Sequence, residues 1–288
     1  MRKRIIQKLT MLAFVAMVGI PAFAQGGKFG SETNAGVATT IGDNVVAGDV
    51  FDLQELRYYV KSIKDGVLDL EVIGLSSQIA GATGDPSLLT SKWEGTVTIP
   101  HKLSAADVNR AAEISSIAAN AFTTTVLYPT TEGGKNATDS KDNFTAAAAL
   151  VTKIIIDYNA EATVVAGIGA NAFAGLTALT EVKVFSPTAV TLPESAFDSD
   201  IYDAAYLDMV PGSVKSYNDT SAWSKFFYKK LSGAIIGDYD GNGVLTVDDI
   251  ENVLYLSFDP LDYDEAYDYD GDGVISVTDL ENLLYMSF

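Results

Sequence analysis

The chain has no cysteine, which excludes disulfides and thiolate-held metal. It has a single histidine, His101, too few for a histidine-rich metal centre. Positive charge is scarce: 19 lysines and arginines face 38 acidic residues, so nucleic acid is not an expected partner. No nucleophile elbow, phosphate-binding glycine loop or zinc signature occurs. Long apolar runs are missing beyond the N-terminus, and a membrane helix needs about 20 such residues. The one run, Met11–Ile20, follows the basic residues Arg2, Lys3, Arg4 and Lys8 and precedes Ala22-Phe23-Ala24, an A-x-A cleavage pattern. Residues 1–24 therefore read as a signal peptide, with the mature chain starting at Gln25. No cysteine follows, so lipid attachment at that point is excluded. The expected location is extracellular or at the cell surface.

Acidity is concentrated at the other end. Residues 237–288 hold fourteen acidic side chains and no basic one, which marks a separate module. Inside it, Asp238–Phe258 (DYDGNGVLTVDDIENVLYLSF) and Asp268–Phe288 (DYDGDGVISVTDLENLLYMSF) repeat at a spacing of thirty residues. They agree at 14 of 21 positions, which argues against two chance acidic turns. In the first loop Asp238, Asp240 and Asn242 offer side-chain oxygens. Val244 offers its carbonyl, Thr246 a direct or water-mediated oxygen, and Asp249 the closing carboxylate. The second loop offers Asp268, Asp270, Asp272, Val274, Ser276 and Asp279 in the same roles. Gly243 and Gly273 permit the sharp turn. Hard oxygen donors at this spacing predict two calcium ions.

A helix is predicted after each loop, capped by Thr246 or Ser276 with Asp249 or Asp279 three residues on. Ile250, Val253, Leu254, Leu256 and Phe258, with Val247, span roughly 200° of the first helix, twice the ~100° that a core-facing helix needs. The excess serves either packing against the rest of the chain or a partner surface. So small and so acidic a module is expected to need its metal to fold.

The remainder is β-rich. Residues 25–50 read as a flexible start rich in Gly, Ala, Thr and Asn. Leu56, Tyr58 and Val60 alternate with Arg57, Tyr59 and Lys61; Asp65-Gly66 is a turn pair; Leu68, Leu70 and Val72 then alternate with Asp69 and Glu71. Thr96–Ile99 is a further strand ending at Pro100. From about Ile114 a weak repeat begins: Ile117–Phe122 (IAANAF), Ile168–Phe173 (IGANAF) and a looser Leu192–Phe197 (LPESAF), with Asn143-Phe144 as a partial copy. The phenylalanines lie 22, 29 and 24 residues apart, the period of leucine-rich solenoids with one short strand per unit.

These residues resemble the BspA-like leucine-rich repeats of bacterial surface proteins. The resemblance takes in the hairpin and Val97–Pro100 as a β lead-in, and Leu207–Phe227 (LDMVPGSVKSYNDTSAWSKFF) as the closing element of the solenoid. It covers roughly 51–232. Tyr128–Lys141 departs from it as an insertion.

Residues 237–288 resemble a type I dockerin. A paired EF-hand is the rival, but it would place a helix before each loop and normally Glu at position 12, where both loops here have Asp. The dockerin resemblance implies a cohesin-like partner. In that family, contacts come from loop positions 10 and 11, here Val247-Asp248 and Val277-Thr278, and from the following helix. Helix positions that often carry a basic pair are Leu254-Tyr255 and Leu284-Tyr285 in this chain.

The expected fold is therefore a BspA-like solenoid with a hairpin lead-in and a small α-helical calcium module. The expected function is non-catalytic binding: a repeat surface for a protein or glycan, and a calcium-dependent module for attachment. Two alternatives stand beside it. The module could only cap the solenoid, or the chain could be an assembly-associated hydrolase, since a carboxylate pair for glycoside hydrolysis leaves no sequence motif.

Overall fold

The computed structural model describes residues 45–53, 55–75, 95–103, 111–123, 148–158, 167–258 and 263–288. The expected signal peptide, most of 25–50, the expected insertion Tyr128–Lys141 and the expected Asn143-Phe144 copy lie outside the described residues.

The described chain is β-rich with few helices, and its strands form two six-stranded sheets, neither closed into a barrel. The first sheet starts as an antiparallel meander of β1 (Val50–Leu53), β2 (Leu56–Lys64) and β3 (Val67–Leu75). Asp65 and Gly66 join β2 to β3 with φ of 51° and 81°, the left-handed pair that a two-residue hairpin requires. Leu68, Leu70 and Val72 are buried as their alternation predicts. Arg57 departs from the pattern. It is fully buried, because β2 shifts register between Arg57 and Tyr58 and the bulge breaks the alternation there.

β3 continues the sheet in parallel to β6 (Ala112–Ile117), which also pairs with β5 (Lys102–Leu103) and β8 (Gly167–Ile168). The second sheet is parallel through β4 (Thr96–Ile99), β7 (Lys153–Ile156), β9 (Glu181–Val184), β10 (Tyr206–Met209) and β11 (Tyr228–Leu231). β12 (Ala234–Ile235) turns back along β11. The expected strand Thr96–Ile99 is β4, and it lies at the edge of this second sheet, not in the sheet of the hairpin. Val97 and Ile99 point into the same core as Ile154 and Ile156 across a parallel register. From β6 to β9 the chain alternates between the sheets, so a repeat unit contributes to both rather than to one.

The repeated Ala-Phe pairs form the spine of the core. Phe122 stacks on Phe173 at 5.5 Å between ring centroids, and Phe173 on Phe197 at 4.6 Å. Asn120 and Asn171 sit before them at φ of 58° and 55°, a left-handed conformation that asparagine tolerates better than most residues. Each turn hydrogen-bonds to the next: Asn120 N–H to the Ala170 carbonyl and Asn171 N–H to the Ser195 carbonyl, both at 2.9 Å. Gly169 is held so close to the Ala118-Ala119 backbone that a Cβ would collide with it.

After α1 (Ser199–Ala204), the segment 207–227 adds buried side chains to this core. It contains α2 (Val214–Asn218) and a 3₁₀ turn at Trp223–Lys225. Trp223 is fully buried, and its indole N–H donates to the Val190 carbonyl at 2.7 Å. The Tyr217 hydroxyl donates to the Ser186 carbonyl at 3.2 Å. Two further helices, α3 (Val247–Leu256) and α4 (Val277–Met286), pack against each other. Val253 and Leu283 are fully buried there, and both belong to the same continuous core as the sheets. No helix among the described residues is long and apolar enough to cross a membrane.

Candidate metal centres

Local chemistry builds each centre in the same way. The carboxylate of Asp238 accepts from Asn242 N–H at 3.1 Å and Gly243 N–H at 2.8 Å, which folds the loop around it. Asp268 accepts from Gly271 N–H at 2.7 Å and Gly273 N–H at 2.8 Å. Asn242 and Asp272 each accept from the N–H two residues on, at 2.8 Å, closing an Asx turn. Gly243 and Gly273 have φ of 84° and 92°, so only glycine fits without strain.

The helix that follows brings back the last carboxylate. α3 and α4 each begin with a capping box, Thr246 with Asp249 and Ser276 with Asp279. Asp249 also accepts from Tyr239 N–H at 3.1 Å, and Asp279 from Asp270 N–H at 3.2 Å, so each closing carboxylate ties the helix to the loop's start.

The result is two acidic triads. Asp238, Asp240 and Asp249 place ligand oxygens within 4.8 Å of one another, and so do Asp268, Asp270 and Asp279. No lysine or arginine forms an ion pair with any of the six among the described residues. Three converging carboxylates without a cation fit a metal ion, and the donor set is entirely hard oxygen. Asn242 and Asp272 lie between the triad members in each loop. The side chains of Val244 and Val274 point to solvent, which leaves only the backbone carbonyl as a donor in the role expected for them.

The electrostatics differ between the two centres. Burial works against the charge of Asp249, yet hydrogen bonds from Thr246, Asp240 and Tyr239 outweigh it and hold the carboxyl below its usual range. Asp270 is raised, first by burial and then by repulsion from Asp279, Asp272 and Asp268, against a bond from Asp272 N–H. The second centre is also deeper. Asp268 is fully buried and Tyr269 is 6% exposed, whereas Asp238 is only partly covered and Tyr239 is 44% exposed.

Residues that sequence reasoning missed account for the difference. The Tyr263 hydroxyl donates to Asp268 at 2.8 Å. Glu265 accepts from Gly212 N–H at 2.6 Å and Val214 N–H at 3.3 Å. Asn218 donates to the Tyr269 carbonyl at 2.9 Å, and the Tyr269 hydroxyl donates to the Phe227 carbonyl at 2.7 Å. Lys229 donates to Asn218 at 2.6 Å. One signal could have found Tyr263 and Glu265: the acidic stretch Asp262–Glu265 precedes the second loop, while Leu231–Gly237 before the first has no acidic residue.

All eight residues expected to meet a partner are exposed: Val247, Asp248, Leu254, Tyr255, Val277, Thr278, Leu284 and Tyr285. The wide apolar arc divides. Val253 is buried and Ile250 and Leu256 are partly covered, while Val247, Leu254 and Phe258 face solvent. His101 sits at the end of β4 with Nδ1 2.5 Å from Asp157. Its Nε2 is buried without a hydrogen-bond partner, so no nucleophile is engaged by it among the described residues.

Comparison with family models, with curated proteins and with solved structures found no match to this chain.

Proposed function

We propose that this is a secreted, non-catalytic binding protein. Residues 51–232 form a BspA-like leucine-rich-repeat solenoid that presents a surface to a protein or glycan. Residues 237–288 form a dockerin-like module that binds two calcium ions and attaches the chain to a cohesin-like domain. One observation carries the attachment reading. After each acidic triad, a helix leaves the same apolar positions in solvent: Leu254 and Leu284 at 39% and 42%, Tyr255 and Tyr285 both at 73%. A helix that served only internal packing would have no use for an exposed tyrosine repeated at one position. The solenoid reading is supported by the stacked phenylalanines and by the turns that hydrogen-bond from one repeat copy to the next. The secretion reading rests on residues 1–24.

The metal links the two halves of the module's design. Asp238, Asp240, Asn242 and Asp249, and in the second loop Asp268, Asp270, Asp272 and Asp279, would hold the ions, whose charge would offset the repulsion among carboxylates while Asp249 and Asp279 complete the capping boxes of the helices. The exposed Leu-Tyr pairs are apolar where type I dockerins often carry basic residues, so the complementary partner face is apolar and aromatic rather than acidic.

The test uses the full chain with Tyr255→Ser and Tyr285→Ser together, presented with calcium to a panel of cohesin domains and to native cell-surface extract. The expected result is loss of capture with circular dichroism and calcium uptake unchanged. Capture that persists in the double variant, or that ignores chelator, sinks the attachment reading. A second reading, that the module caps the solenoid, is favoured by a separate observation: Glu265, Tyr269 and Gly271 all lie against the closing segment of the repeat region.

A further inference from the structure

The two loops are near copies in sequence, and their surroundings are opposite. Gly241 and Gly271 hold the same position with φ of 70° and 73°. A Cβ on Gly241 would meet nothing within 4 Å, whereas one on Gly271 would lie 2.6 Å from Lys215 N and 2.7 Å from its Cα. The second loop therefore rests directly on the backbone of α2, and the first does not.

The contact is a strap along the whole of α2. Glu265 takes the N–H groups of Gly212, just ahead of it, and of Val214, its first residue; Gly271 packs on the Val214-Lys215 backbone, and the Tyr269 carbonyl takes the Asn218 side-chain amide at its far end. Metal donors lie between these contacts on the same few residues: Asp268 and Asp270 alternate with Tyr269 and Gly271. An ion that orders Asp268 through Asp272 must order the strap as well. Without an ion, Asp268, Asp270 and Asp279 repel across less than 4.8 Å, and that repulsion pulls on the residues that grip α2.

We propose that the second loop is a calcium-dependent latch between the module and the repeat region, engaged by the ion at Asp268, Asp270, Asp272 and Asp279 and indifferent to the ion in the first loop. This rests on the calcium reading of both loops. It also reconciles the two readings above: the second centre fastens the module to the closing segment, and the first, open to solvent, leaves the exposed helix faces free for a partner. Linkage makes the effect reciprocal, so breaking the latch weakens the second ion by the factor by which that ion strengthens the latch.

The test is hydrogen exchange at the Gly212 and Val214 amides of the full chain in calcium, with ion stoichiometry measured in parallel by calorimetry. Asp270→Ala is expected to speed their exchange at least tenfold and to lose one ion. Asp240→Ala is expected to lose one ion and leave these amides protected. Glu265→Ala spares every metal donor; it is expected to release the amides while still binding two ions, one of them more weakly. Gly241→Ala and Gly271→Ala share the same backbone strain, and only the second is expected to release α2. Equal release by Asp240→Ala and Asp270→Ala overturns the latch, as does full protection in an Asp270→Ala chain that has lost its ion. If the unmodified chain binds no ion, the calcium reading fails first and the latch with it. That failure shows in the stoichiometry, not in the exchange.

Discussion

The ammonium of Lys229 stands 3.9 Å from the ring centroid of Tyr269, a cation on an aromatic face between a strand of the second sheet and the second acidic loop. Both groups are nearly inaccessible, at 3% and 6%. Burial lowers the Lys229 pKa to about 8, against the pull of Asp270. The pair places a positive charge beside a module that has none of its own, and it does so from outside the module's sequence.

Removing calcium is expected to unfold residues 237–288. Fourteen acidic side chains then repel without a counter-ion, and the module's share of the core is small. Helical circular dichroism at 222 nm should fall on adding chelator and return with calcium. A spectrum unchanged by chelator contradicts the prediction. Each site filled at 100 times its dissociation constant should contribute about 2.7 kcal/mol of stability.

Asp249→Ala and Asp279→Ala each remove a closing ligand and half of a capping box. The cap alone is worth about 1 kcal/mol, so in calcium each variant should lose one ion and more stability than the loss of that ion alone accounts for. Asp279 is the more deeply set and also joins the loop that rests on α2. Its variant should therefore have the lower melting temperature of the two in calcium.

Phe173 lies between Phe122 and Phe197 with no exposed surface. Phe173→Ala should cost about 3–5 kcal/mol, because neighbours stacked on both sides cannot collapse into the gap. Denaturant melts of the full chain should show the loss in the β signal, with calcium uptake by the unmelted chain still at two ions.

Alkali should destabilise the repeat region through its buried phenols. Burial pushes Tyr202 up to about 12 and Tyr217 higher still. Both are neutral in the folded and unfolded chain below about pH 10. Above that the unfolded chain loses protons first, so their contribution is complete below pH 10 and is lost as pH climbs through their folded values. Absorbance at 295 nm should show these phenols ionising together with unfolding. Ionisation near pH 10 with the fold intact would contradict this.

The acidic loops were legible because their information is local. Carboxylates at positions 1, 3 and 12, a glycine at 6 and a hydroxyl cap act within one turn and one helix start, and the structure brings the predicted carboxylates together in both copies. The Ala-Phe repeat was legible for a related reason: stacking demands the same side chain at the same place in each turn, and it recurs in register. The strand alternation of the hairpin was legible except at Arg57, where a bulge that no residue type announces turned a charged side chain inward.

What the sequence determined by itself, then, is a pair of equivalent acidic loops followed by equivalent helices. Only the tertiary structure made them unequal. Residues 212–218, about fifty positions upstream, fold against one copy and not the other. In the copy they meet, Asp268 is fully buried, while Asp238 in the other copy is partly open. Periodicity and spacing describe what a segment can do with its neighbours along the chain. Which copy meets α2 depends on where residues 212–218 sit in the core that both share, and that is decided by packing across sequence separations that no local pattern encodes.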